Sequence, residues 1–67
     1  MPSSDVAELS SLRAQLEDVA VRVVAIADRY RETPDSAVTN DLDLAERSLL
    51  GARRALERAS DTLTDIG

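Results

Sequence analysis

Cysteine, histidine, lysine, tryptophan and phenylalanine are all missing from this 67-residue chain, and glycine and proline occur only twice each. Without Cys or His there are no disulfide staples, no thiolate or imidazole metal ligands, no catalytic triad and no histidine general base. Helical di-iron centres, which require Glu-x-x-His pairs, are excluded on the same ground. Without Trp or Phe the chain has no platform on which bases stack. A net charge of -5 and a pI near 4.4 oppose the phosphate neutralisation on which nucleic-acid affinity rests. We therefore expect no nucleic-acid partner, no cofactor and no metal.

Long apolar runs are absent as well. The stretch from Val19 to Ala27 is short and interrupted by Arg22, whereas a membrane span needs ~18 apolar residues. The opening Met-Pro-Ser-Ser-Asp lacks the basic segment of a secretory signal, so the expected location is cytoplasmic and no membrane partner is expected. All eight basic residues are Arg, and Ala, Leu, Val and Asp are abundant, a codon signature of a GC-rich bacterial genome.

What is present is a heptad pattern in each half. In the first, Leu9, Leu12, Leu16, Val19, Val23, Ile26 and Tyr30 recur every three then four positions, with Leu9, Leu16, Val23 and Tyr30 at a and the others at d. Asp5, with Glu8 three residues on, forms a carboxylate version of the capping box at the start. Pro34 pushes Thr33 out of the helical region. The first helix is thus predicted over about 5–32.

In the second half Val38, Leu42, Ala45, Leu49, Ala52, Leu56, Ala59, Leu63 and Ile66 continue the pattern, with Leu at every a position and Ala at the three central d positions. Thr33–Pro34 and Asn40 are both reasonable caps, and a start near Asp35 or Ser36 leaves the loop of about 2 to 5 residues usual between paired helices. The second helix is predicted over about 36–65. The expected fold is all-α, a single antiparallel two-helix hairpin over 1–67. Below ~70 to 80 residues a lone core rarely supplies enough stability, so a second hairpin is expected to complete a four-helix bundle.

Apolar residues also lie off the expected seam: Ala20, Val24 and Ala27 on the first helix, Leu44 and Leu50 on the second. Gly51 stands in mid-helix, which costs ~1 kcal/mol relative to Ala; it marks a tolerated Gly, the close approach of another helix, or a break. The expected interface is Leu9, Leu12, Leu16, Val19, Val23, Val24, Ile26 and Tyr30 with Leu42, Leu44, Ala45, Leu49, Leu50, Gly51, Ala52, Leu56, Ala59 and Leu63.

Three sets of polar residues are candidates for chemistry. Asp41, Asp43 and Glu46, with Glu17 and Asp18, are read as dipole and solubility groups. Arg47, Arg53, Arg54 and Arg58 make the second helix locally basic, either as a solvated face or as a docking surface for an acidic partner or anionic ligand. Tyr30 caps the core at the hairpin tip with its hydroxyl at the wet end.

No nucleophile has a neighbouring base, so no catalytic residue is assigned and no enzyme is expected. The expected function is a helical interaction or oligomerisation module, with a homodimer or a helical protein as its partner. Two alternatives are a regulator of antitoxin-like or anti-sigma-like type that uses the Arg face, and an exported helical hairpin. For the last, the turn Arg-Glu-Thr-Pro-Asp-Ser carries no Trp-x-Gly signature.

Overall fold

The computed structural model describes residues 2–66, with side chains from residue 4 onward. It is an antiparallel pair of helices, α1 over Pro2–Tyr30 and α2 over Val38–Ile66, each 29 residues long. At 1.5 Å per residue each helix runs about 43 Å, and the hairpin measures 52 × 14 × 10 Å. The all-α hairpin expected from the two heptad series is the observed fold. Met1 and Gly67, the ends of the expected domain, lie outside the described residues.

The helix ends differ from expectation. α1 begins at Pro2, whose fixed φ suits a first helical turn, and Asp5 sits inside that turn facing the dipole. It ends at Tyr30 because Glu32 adopts a left-handed backbone with φ 62°, the conformation that commonly terminates helices. Residues 31–37 then advance in tight turns. The Thr33 amide donates to the Tyr30 carbonyl, Ser36 to Thr33, Val38 to Asp35 and Thr39 to Ser36, at 2.9–3.2 Å. These three-residue bonds delay α2 to Val38 rather than Asp35 or Ser36.

Side chains hold the turn. The Thr33 hydroxyl donates to the Tyr30 carbonyl at 2.6 Å and accepts from the Asp35 amide at 3.2 Å. The Thr39 hydroxyl donates to the Ser36 carbonyl at 2.6 Å. α2 is continuous through Gly51, so there is no break there.

Little of the chain is buried. Among the described residues the buried apolar side chains are Ala20 and Ala27, and no large side chain is fully buried. The accessible surface is 4881 Å², against about 4,100 Å² for a compact protein of this mass. The radius of gyration is 15.5 Å, against about 11 Å for a compact chain of this length.

A candidate interaction face

Burial reveals which positions close the hairpin. On α1 the a residues Leu9, Leu16 and Val23 are half-buried against α2, and at the e positions Ala20 and Ala27 are 4% and 1% exposed and Arg13 is half-buried. On α2 the Leu42, Leu49, Leu56 and Leu63 series is half-buried, and the e positions Thr39, Glu46, Arg53 and Ser60 are buried or half-buried beside it. The d residues lie outside. Leu12, Val19 and Ile26 are 38%, 41% and 42% exposed; Ala52 and Ala59 are exposed and Ala45 is half-buried.

The seam is therefore a with e, not the a with d that the heptad predicts. Both helices are turned by about 50° about their axes, the angle between the centres of the a–d and a–e faces of a 3.6-residue helix. The physical reason is visible at the e positions. Ala20 and Ala27 let the backbones approach closely, as small residues at a helix contact do. Arg13 and Arg53 lay their aliphatic stems along the seam and carry their charged heads outward, as long basic side chains do. Arg13 Nη2 lies 3.9 Å from Glu57 Oε2, and Arg53 Nη1 lies 3.5 Å from Glu17 Oε2. The Nε atoms of both arginines are buried without a hydrogen-bond partner.

These two bridges also set the register: residues whose numbers add to about 70 stand at the same height. They run along one side of the hairpin, the b side, with Val24 and Leu50 half-buried between them and the tip. At the tip Arg31 grips Asp43. Its Nη2 donates to Oδ1 at 2.9 Å and its Nη1 to Oδ2 at 3.3 Å, while its Nε donates to Asp28 Oδ1 at 2.9 Å. The hydrogen bonds from Arg31 hold the Asp43 carboxyl below its ordinary value, and the two carboxylates hold the Arg31 guanidinium above its own. Asp28 and Arg31, three residues apart in sequence, supply the local half of this clamp, and Asp43 comes from the other helix.

The opposite side of the hairpin is apolar. In an antiparallel pair like positions share a side, so the d series of both helices fall together, away from the ion pairs. Five of the large exposed apolar residues are d residues: Leu12, Val19, Ile26, Val38 and Ile66. At matching heights Leu12 stands beside Ala59, Val19 beside Ala52 and Ile26 beside Ala45. Turning the seam from d to e thus gathers the exposed d residues of both helices on one side of the hairpin.

The remaining expected interface residues are scattered. Tyr30 is partly exposed near the tip, and Leu44 points outward at a c position, 58% exposed. Gly51 is also at c, and a Cβ added there would meet no atom within 4 Å, so nothing in the hairpin crowds it. The four candidate docking arginines do not form one face. Arg53 belongs to the seam, while Arg47, Arg54 and Arg58 are exposed at outward f and c positions. Arg53 bridges to Glu17 rather than to Glu57, its neighbour one turn on.

Among the described residues no group of three acidic, His or Cys side chains is placed to hold a metal ion. No described helix is long and apolar enough to cross a membrane. No known protein family, curated protein or solved structure matches the chain.

Proposed function

We propose that this protein is a small non-enzymatic interaction module that assembles through the apolar flank of its hairpin, two copies forming a four-helix bundle. The observation that carries this is the gathering of Leu12, Val19, Ile26, Val38 and Ile66 on one side, with the interhelical ion pairs on the other. A contiguous apolar face rimmed by polar residues marks an association surface. Burial at a and d supplies affinity, and the flanking charges select the partner and fix the register.

Light scattering tests this directly. The isolated chain is expected to run as a helical dimer, and Val19→Asp to reduce its mass to that of the monomer. If Val19→Asp leaves the mass unchanged, the flank is not the interface.

A regulatory role through the exposed Arg47, Arg54 and Arg58 is the second reading, favoured by the lack of any carboxylate bridged to them among the described residues. Replacing all three by Ala and titrating with inorganic pyrophosphate or an acidic peptide separates the two. Loss of binding at unchanged dimer mass supports it.

A further inference from the structure

We infer that two copies pack flank to flank about a two-fold axis running along the hairpin, so that α1 of each copy lies on α2 of the other and both tips point the same way. This rests on the proposal that the apolar flank is the interface and specifies how it is used. Two observations commit the flank to a second copy. The hairpin exposes roughly 750 Å² more than a compact protein of its mass, close to the ~800 Å² each partner buries in a standard interface. The flank is also self-complementary over its central part, where α1 contributes the large Leu12, Val19 and Ile26 and α2 the small Ala45, Ala52 and Ala59.

That second property selects the axis. An isologous face-to-face dimer has its two-fold in the interface plane, either along the helices or across them. With the axis along the helices, heights are preserved and α1 sits antiparallel on α2 of the other copy. Leu12, Val19 and Ile26 then stand over Ala59, Ala52 and Ala45, large on small at each of the three central layers. With the axis across the helices, α1 meets α1 and α2 meets α2. Large residues then wedge one side apart while alanine faces alanine on the other, leaving cavities, which destabilise in proportion to their volume.

Charge at the rim supports the same arrangement. Arg29 and Asp41 occupy g positions bordering the flank, are both exposed, and take part in no ion pair among the described residues. Their numbers add to 70, so they share a height on α1 and α2. With the axis along the helices, Arg29 of each copy meets Asp41 of the other, twice per dimer. With the axis across them the two never face each other.

Spin labels decide between these. The chain has no native Cys, so Asp35→Cys in the exposed turn accepts a single label per copy. Same-end tips place the two labels about 20 to 30 Å apart, given interhelical distances of about 8 to 10 Å and the label tethers. Opposite-end tips place them near the 52 Å length of the hairpin. Double electron–electron resonance is expected to give the short distance. Separately, Arg29→Asp is expected to weaken the dimer roughly tenfold by turning two exposed pairs repulsive, and Arg29→Asp with Asp41→Arg to restore it. A long distance from a dimer that Val19→Asp dissociates overturns the arrangement and leaves the flank as the interface. A monomeric wild-type chain overturns both. Failure of the charge swap to rescue a weakened dimer also overturns the arrangement.

Discussion

Gly51→Ala isolates what the fold requires of one residue. Gly51 lies near the middle of α2 on its outward c face, and a methyl group there would meet no atom within 4 Å. Its backbone is ordinary helix, since the described residues contain no glycine with positive φ. The substitution therefore adds no strain and removes no contact. The whole helix-propensity difference should appear, about 0.8 to 1.0 kcal/mol per copy.

For a domain of 60 to 100 residues about 1 kcal/mol moves the melting temperature by roughly 4 to 8 °C. In the proposed dimer the c face points away from the second copy. Both copies gain, and both contribute to the unfolding entropy, so the shift is of the same size. Thermal melts followed by circular dichroism at two protein concentrations measure it, with light scattering for mass. An unchanged or lowered melting temperature, or a loss of mass, would refute the placement. It would mean that another helix packs where Gly51 lies, with association through the c side rather than the d side.

Three further substitutions probe other parts of the hairpin. Ala27→Leu forces three extra carbons into the tightest point of the seam, where the residue is 1% exposed, and should cost about 1 to 3 kcal/mol in urea unfolding; an unchanged midpoint would show that the seam does not run through e. Glu32→Gly relieves a non-glycine residue held at φ 62°, and chemical denaturation should show a gain of up to about 1 kcal/mol; a loss would mean that the Glu32 side chain holds the turn. Asp43→Asn removes the carboxylate whose folded pKa Arg31 depresses. The stability that pair contributes is present above the unfolded value of 3.8 and is lost as the pH falls from there through the folded value. The variant should accordingly be less stable at neutral pH and lose less on acidification than the wild type. An unchanged acid limb would exclude the clamp from the pH dependence.

The two helices and their antiparallel pairing were legible because the a positions, Leu9, Leu16 and Val23 with Leu42, Leu49, Leu56 and Leu63, lie on the seam whichever neighbour is added. The phase of the seam was not. A heptad names the apolar residues but not which of two adjacent stripes meets the first partner. On α1 both stripes are apolar, d with Leu12, Val19 and Ile26, e with Ala20 and Ala27. Size favours d in the sequence, whereas close approach and arginine stems that cover the seam favour e in the fold. On α2 the contrast is sharper, since Thr39, Glu46, Arg53 and Ser60 at e look like surface residues until Glu17 and Glu57 are seen across from Arg53 and Arg13. The helix boundaries moved for a local reason. A non-glycine left-handed residue at Glu32 and consecutive three-residue turns carry no strong sequence mark.

The width of the apolar stripe is what connects the fold to association. On α1 the e, a and d positions together span about 100° of the helix, the width of a face that belongs to a core rather than a two-stranded seam. One neighbouring helix covers the e–a side and leaves a only half-covered, which is the observed state of Leu9, Leu16 and Val23 and of the four leucines of α2. A second neighbour on the a–d side would complete their burial and point every a residue at the axis of a bundle. Fully burying a Leu or Val side chain is worth about 1.5 to 3 kcal/mol, so the uncovered part of each a and d residue is a sizeable fraction of the few kcal/mol that a domain of this size commands. A variant that keeps the hairpin but makes the d stripe polar, Leu12→Ser with Val19→Ser and Ile26→Ser, should retain the e-side contacts of Ala20 and Ala27. It should nevertheless melt at far lower temperature than the wild type and no longer depend on protein concentration. Equal stability of the two chains would show that the hairpin stands alone.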